Sequence, residues 1–364
     1  MTKKIAILLP LCILMAAAVW VLAAGSSDDP LASLSYLTDT FSEKVEEEVE
    51  ERLDDSDDEL LEDFEENGVE DMLSRAITWQ ETRLKQGDAL CGTTGTNAMM
   101  LAGNAQILYD AGAVVDVTTG EVVPSGTYMA KNHRYMVAED TQAEFSVTSK
   151  TAVVDYLGDY TFDYSRSVDY NAMAAGLKNL NLFKGSFTGY GEGFDLEVAP
   201  TRLQALIMFI RVLGEEEQAL AWSGTTPFTD IQKGSQAEQY VGYAYSMGYT
   251  NGYSATQFKP AGAVNAYQYT EFVLRAMGYS SVANTNLADT LIRAQEAGLL
   301  TEDEVVMLQT DPFLRAELVY ISWYALDTEL PDGRMTLADQ LQEKGVFTKR
   351  EFDRAWDTVS DRRY

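Results

Sequence analysis

The sequence predicts a multidomain α+β chain, and three observations carry that expectation. A short phrase that opens a helix recurs three times in the C-terminal half. Ahead of it lies a series of short β-branched, alternating segments, and ahead of those a strongly acidic helical stretch. At 364 residues with 46% hydrophobic content, the chain has room for two or three separate cores.

The first element is a targeting segment. Lys3 and Lys4 precede an apolar run over residues 5–22, and Val21-Leu22-Ala23 offers a small-residue cleavage site. Residues 1–24 therefore read as a signal peptide. The run is also long enough to span a bilayer, so an uncleaved membrane anchor stays open. Cys12 sits inside the run behind the bulky Leu11 and does not read as a lipoprotein cysteine. Without this segment Cys91 is the one cysteine left, and the cores must hold the fold without an internal disulfide. The formal charge of −30 would become −32, with 25 basic against 57 acidic side chains. Nucleic acid and anionic lipid surfaces would repel such a chain, which excludes nucleic-acid binding.

Residues 25–87 read as a polar linker and an acidic amphipathic helix. Over residues 43–71 there are seventeen acids against Lys44 and Arg52, while Leu37, Phe41, Val45, Val49 and Leu53 mark one helical face. The run lacks the spaced oxygen ligands and glycine of a calcium loop, so no metal site is expected there. Residues 88–165 read as a small β-sandwich or roll. Strands are expected at 98–101, 113–117, 127–129, 135–138, 143–147 and 151–156, punctuated by Thr119-Gly120, Pro124-Ser125-Gly126 and Ser149-Lys150.

Residues 166–330 hold the repeats, at about 166–215, 225–280 and 284–330, and residues 331–364 form a helical cap after them. The recurring phrases are Pro200-Thr201-Arg202-Leu203-Gln204, Val264-Asn265-Ala266-Tyr267-Gln268 and Phe313-Leu314-Arg315-Ala316-Glu317. Eleven residues after each first position come Arg211, Arg275 and Tyr324, so the copies stay in step. Thr201 with Gln204 forms a capping box and Asn265 with Gln268 a close variant, while Asp311-Pro312 is expected to cap the third helix. These caps place Arg202 and Arg315 in first helical turns, facing the positive end of the helix dipole. A cation there makes sense if an anion docks against the helix-start N–H groups and the guanidinium fork. The alternative is that both arginines pair with local acids.

These residues resemble the surface-layer homology (SLH) domains of Gram-positive-type cell envelopes. That family's repeat shows a leading Phe-x-Asp, a Gly-Tyr turn followed by Phe-x-Pro, and a Thr-Arg-Ala-Glu helix start. The middle copy carries Phe228-Thr229-Asp230, Gly252-Tyr253 and Phe258-Lys259-Pro260; the third keeps Arg315-Ala316-Glu317, and the first Thr201-Arg202 with Gln204. The resemblance implies a mainly α-helical pseudo-trimer with a central three-helix bundle. Its inter-lobe grooves would hold a pyruvylated secondary cell-wall polysaccharide, with the helix-start arginine on the carboxylate. Arg202 and Arg315 take that role, and Thr201, Gln204, Glu317, Asp230, Gly252 and Tyr253 complete the expected site. Ala266 stands where the middle copy should have its arginine, Asn181 replaces the helix-ending glycine of the first, and Leu314 replaces threonine in the third. At most two grooves are therefore expected to be competent. Tyr240, Tyr243, Tyr245, Tyr249, Tyr253, Tyr267 and Tyr269 crowd the middle copy; helical spacing assigns most of them to core packing, and stacking of some on sugar rings stays open.

No catalytic constellation stands out. His133 is the only histidine in the chain and cannot form a typical zinc site alone. Glu139 and Asp140 are expected to be neighbours in a strand, pointing to opposite faces. Gly92-Thr93-Thr94-Gly95-Thr96 lacks a phosphate-loop lysine and reads as a turn, and Cys91 as a small core residue. No cofactor motif is present. The expectation is an exported, non-catalytic surface scaffold or adhesin, bound to the cell wall. The alternatives are a wall-anchored hydrolase with a deep pocket in the β-domain, and a membrane-to-wall tether that keeps its N-terminal anchor.

Overall fold

The computed structural model describes residues 78–185, 193–280, 286–359 and 363–364. The expected signal peptide and acidic helix lie outside the described residues. Two separate hydrophobic cores hold the described chain together, one between β-sheets and one among helices. The chain is thus mixed α+β, with an all-β region ahead of a helical C-terminal half.

The β region consists of β1 (Gln80–Lys85), β2 (Ala89–Gly92), β3 (Asn97–Ala102), β4 (Ala105–Leu108), β5 (Ala113–Asp116), β6 (Glu121–Val123), β7 (Arg134–Ala138), β8 (Ala143–Val147), β9 (Thr151–Leu157) and β10 (Tyr160–Asp163). They form a six-stranded sheet in the order β1-β9-β3-β7-β5-β6 and a four-stranded sheet in the order β10-β2-β8-β4. All pairings are antiparallel. Alternation decides which residues turn inward: Ala98, Met100, Val137 and Val154 from one sheet meet Leu90, Ile107 and Phe145 from the other.

The sheet begins at Gln80, ahead of the boundary expected at 88. Gln80-Glu81-Thr82-Arg83 shows no apolar alternation because β1 is an edge strand with only Leu84 fully inward. Residues 127–129 form no ladder, only an isolated bridge between Gln106 and Tyr128. Glu139 and Asp140 are not in a strand: Glu139 has φ 55° and lies in the bend after β7.

The helical half runs through α1 (Tyr170–Asn179), α2 (Arg202–Val212), α3 (Glu216–Ala221), α4 (Gln236–Ser246), α5 (Ala266–Ala276), a 3₁₀ turn (Leu287–Asp289), α6 (Thr290–Glu296), α7 (Glu302–Thr310), α8 (Arg315–Leu326), α9 (Leu337–Glu343) and α10 (Lys349–Asp357). Among the described residues no helix is long and apolar enough to cross a membrane. The helices that the three phrases open, α2, α5 and α8, pack on one another, while α4 lies on α2, α6 on α5 and α1 on α8. Each first helix of a copy thus rests on the second helix of the preceding copy, in a closed cycle.

These first helices end alike. Asn181, Gly248 and Gly298 all take positive φ, and the N–H groups of Leu182, Tyr249 and Leu299 each donate to a carbonyl five residues back at 2.9 Å. Asparagine tolerates this conformation, which is why the first copy needs no glycine there. Where α1 meets α8, a Cβ on Gly176 would come within 2.5 Å of the Trp323 ring. Trp323 in turn stacks on Trp356 of α10 at 4.9 Å, closing the end of the array.

Polar groups at the α2–α3 corner are shared across copies. Glu216 accepts from Lys184, from Arg211 Nε at 2.9 Å and from the Tyr240 hydroxyl at 2.6 Å. Burial alone would raise its carboxyl, but these donors outweigh burial and push it down to about 2. A folded-state value below the unfolded value of about 4.3 means that Glu216 contributes fully above that pH. The contribution is lost as pH falls toward 2. Glu216→Gln is expected to lower the melting temperature by a few degrees near neutral pH. In melts at descending pH, the gap to the unaltered protein should close between about pH 4.5 and pH 2.

Candidate anion-binding grooves

The start of α2 is built from its own cap and from the next copy. Gln204 N donates to Thr201 Oγ1 at 3.3 Å, and Thr201 N returns a bond to Gln204 Oε1 at 2.9 Å. The N–H groups of Arg202 and Leu203, orphaned at a helix start, donate to Gly262 O at 2.8 Å and Pro260 O at 3.1 Å. The loop that supplies those carbonyls belongs to the middle copy and is held by Asp230, whose two oxygens accept from Phe258 N (2.9 Å) and Lys259 N (2.8 Å). Burial would raise Asp230, but the backbone donors outweigh it and hold its carboxyl below the usual range.

This pairing drops the Arg202 side chain into a slot walled by aromatic rings. Its guanidinium carbon lies 5.1 Å from the centroid of Phe258 and 5.5 Å from that of Phe272. One terminal nitrogen donates to Gly252 O at 3.3 Å, while Nε is shielded from solvent without a hydrogen-bond partner. The residue is only 8% exposed. Desolvation holds its pKa below the usual arginine value, and the like charge of Arg275 adds to that shift. Gly252 is required here: it has φ +82°, and a Cβ would sit 2.2 Å from the Phe228 ring. Tyr253 is 60% exposed at the rim, with Lys259 Nζ 3.4 Å from its ring centroid.

The start of α8 repeats the geometry against the first copy. Arg315 N donates to Val198 O at 2.9 Å and Ala316 N to Leu196 O at 3.1 Å. Arg315 is again 8% exposed and lies 5.7 Å from the Phe183 ring centroid. Desolvation lowers its pKa against the opposing pull of Asp195 and Glu197, and Arg211 repels it. A cavity of about 140 Å³ opens there, lined by Phe183, Lys184, Gln204, Arg211 and Arg315 among others.

The cap expected from Asp311-Pro312 is corrected by the structure. Asp311 is the C-cap of α7, and its carboxylate pairs with Lys150 at 2.8 Å. Leu314 is the N-cap of α8, and its N–H is satisfied by Glu317 Oε2 at 2.7 Å. Glu317 is 1% exposed and reaches away from Arg315's cavity into a second one, of about 200 Å³, that borders the β-sandwich. In the middle copy, Asn265 caps Gln268 N at 3.0 Å. The adjoining cavity, about 270 Å³, is lined by Asn265, Tyr267, Gln268, Leu287 and Ala288, none of them cationic.

Of the expected site, Arg202, Gly252 and Tyr253 thus converge on one groove and Arg315 with Gln204 on another. Thr201, Asp230 and Glu317 hold backbone in place. Sequence reasoning passes over Arg275 and Arg211 as groove residues. Their signal is present in the eleven-residue step, where both occupy the same register position.

Outside the array, His133 Nδ1 lies 2.7 Å from Asp116 Oδ2. A cleft of about 660 Å³ opens in the β-sandwich beside Cys91, Tyr109, Asp110, Glu144 and Asp159. The Cys91 thiol is raised by burial and by Glu144 and Asp163, the reverse of an activated nucleophile. Among the described residues no group of His, Cys, Asp and Glu could hold a metal ion.

With this geometry in place, residues 227–265, which span Asp230, Gly252, Phe258 and Asn265, match the model of the S-layer homology domain. The chain carries an SLH domain. It is also 26% identical over 238 residues, 64% of its length, to a cell surface protein of Thermoanaerobacter kivui, and covers 30% of that relative. The chain therefore spans about a third of the length of the curated relative it matches. Among solved structures, pumpkin seed globulin and procruciferin from Brassica napus align over 29% of this chain and 30% of theirs. Identity is 14% in both, with TM-scores of 0.16 and 0.17, which carry no structural inference.

Asp230→Ala removes both acceptors from the loop that seats Arg202. It is expected to destabilise the protein by about 1–2 kcal/mol. Amide exchange should accelerate at Phe258 and Lys259 while the β-sandwich amides keep their protection.

Proposed function

We propose that this is a non-catalytic cell-envelope protein, held at the surface of a Gram-positive-type cell wall through a three-copy SLH array. Its ligand on this reading is an acidic secondary cell-wall polysaccharide bearing pyruvyl groups. One observation carries the proposal: Arg202 and Arg315 are both desolvated, walled by phenylalanine and set near a second arginine of the next copy. Stripping water from the Arg202 guanidinium beside a like charge is costly unless a carboxylate completes the site, whereas Asp195 and Glu197 already offset part of the charge of Arg315. Around the cycle, Arg202 is paired with Arg275 and Arg315 with Arg211. The middle helix start has Ala266, and the corresponding position of the third copy is Tyr324. Two grooves suited to a carboxylate follow from that register; over Tyr324 the nearby cation is Arg363, which is paired with Glu304. The mutually packed α2, α5 and α8 support the reading of a pseudo-trimer around a central three-helix bundle. The cell surface protein from Thermoanaerobacter supports the location.

The rival, a wall hydrolase, would use the acidic cleft of the β-sandwich. That cleft is lined by no histidine, and His133 is engaged with Asp116. The tether reading turns on residues outside the described structure, and N-terminal sequencing of the mature protein separates it from a secreted form.

Sedimentation with purified sacculi tests the assignment. Arg202→Ala and Arg315→Ala should each weaken retention about tenfold or more, a loss of about 1.4 kcal/mol. The double variant, folded by circular dichroism, should stay in the supernatant, as should the unaltered protein offered sacculi stripped of pyruvyl groups. Undiminished retention of the double variant would sink the assignment.

A further inference from the structure

The three helix starts differ in charge at their third residue. There the first copy has Gln204 and the middle copy Gln268, both neutral; the third has Glu317. A neutral amide needs no counter-ion. A carboxylate that is 1% exposed does. The cation comes from outside the array. Lys150, in the turn between β8 and β9, places Nζ 2.6 Å from Glu317 Oε1 and 2.8 Å from Asp311 Oδ2. Its partners outweigh the desolvation it suffers and raise its pKa, so the ammonium form is held there.

Glu317 has two tasks at once. Oε1 meets Lys150, and Oε2 accepts the Leu314 N–H at the start of α8. Arg315 is the next residue, and its own N–H is bonded to Val198 O. That loop is gripped from the β-sandwich as well, since the Arg83 guanidinium lies 5.0 Å over the ring of Phe194. Without Lys150, Glu317 would be a buried carboxylate with one hydrogen bond. It would have to take up a proton or swing toward water, and either change releases the Leu314 N–H beside Arg315.

We propose that Lys150 is a positioning residue for the Arg315 groove, so that the β-sandwich sets the geometry of one anchoring site instead of riding on it. This rests on the reading of that groove as a wall-anion site. It makes the two arginine grooves unequal: the Arg202 groove depends on the array alone, and the Arg315 groove on the seam with the β-sandwich.

The test isolates the third copy in an Arg202→Ala background and uses pyruvylated wall polysaccharide as the probe, with the full chain throughout. Adding Lys150→Met should weaken binding about tenfold. Adding Glu317→Gln to that variant should restore binding to within about threefold of Arg202→Ala alone, because the amide caps Leu314 without needing a cation. A loss that only tracked general stability would not be relieved by removing a second charged group. Amide exchange needs no ligand: the Leu314 to Ala316 amides should open faster in Lys150→Met and slow again once Glu317→Gln is added. The inference is overturned if Lys150→Met binds as its background does, if Glu317→Gln brings no recovery, or if exchange at the helix start is unchanged. Absence of binding by the unaltered protein, with exchange behaving as stated, would sink the anchoring reading and, with it, the groove assignment, while leaving Lys150 as the support of the helix start.

Discussion

The array depends on how a helix can begin inside a protein. The first N–H groups of an α-helix have no partner within it, and at α2 and α8 they are satisfied by carbonyls of a loop from another copy. Arg202 N meets Gly262 O and Arg315 N meets Val198 O. These bonds stitch the copies together edge to edge. They also carry the arginine side chain across the boundary, so that it lands against phenylalanine rings it could not reach within its own repeat. The candidate grooves are a by-product of the way the copies are joined. They exist only where two copies meet, which is why a single repeat of this kind would have neither its core nor its site.

Much of this is legible from local signals. The Thr201–Gln204 box, the Asn265 cap and the in-step positions eleven residues on all follow from repetition and capping chemistry. The helix-ending role of Asn181 is legible as well, because few residues other than glycine accept its backbone conformation. The third cap misleads for a physical reason. Asp311-Pro312 has the composition of a helix start, but Asp311 closes α7 and spends its charge on Lys150. Local composition cannot show that a cation will arrive from another domain. The opposition of Arg202 to Arg275 is equally hidden, because it arises only when the copies close into a cycle.

The β-region is half legible. β3, β5, β7, β8 and β9 stand out in the sequence; β1, β4, β6 and β10, at the sheet edges, and the four-residue β2 do not. What cannot be read at all is the seam. Lys150, Asn171 and Arg83 lie far apart in the chain, yet they reach Glu317, Leu84 O and Phe194 across one boundary. That boundary brings Glu317, the acidic residue at the start of α8, together with its counter-ion.

The central claim is that the array has two anion-competent grooves and not three, and stoichiometry tests it most directly. Isothermal titration of the full-length protein with a soluble pyruvylated saccharide fragment of the wall polysaccharide should give two bound ligands per chain, each heat disappearing with its own arginine. Three equivalent sites, or binding that survives removal of both Arg202 and Arg315, would contradict the account.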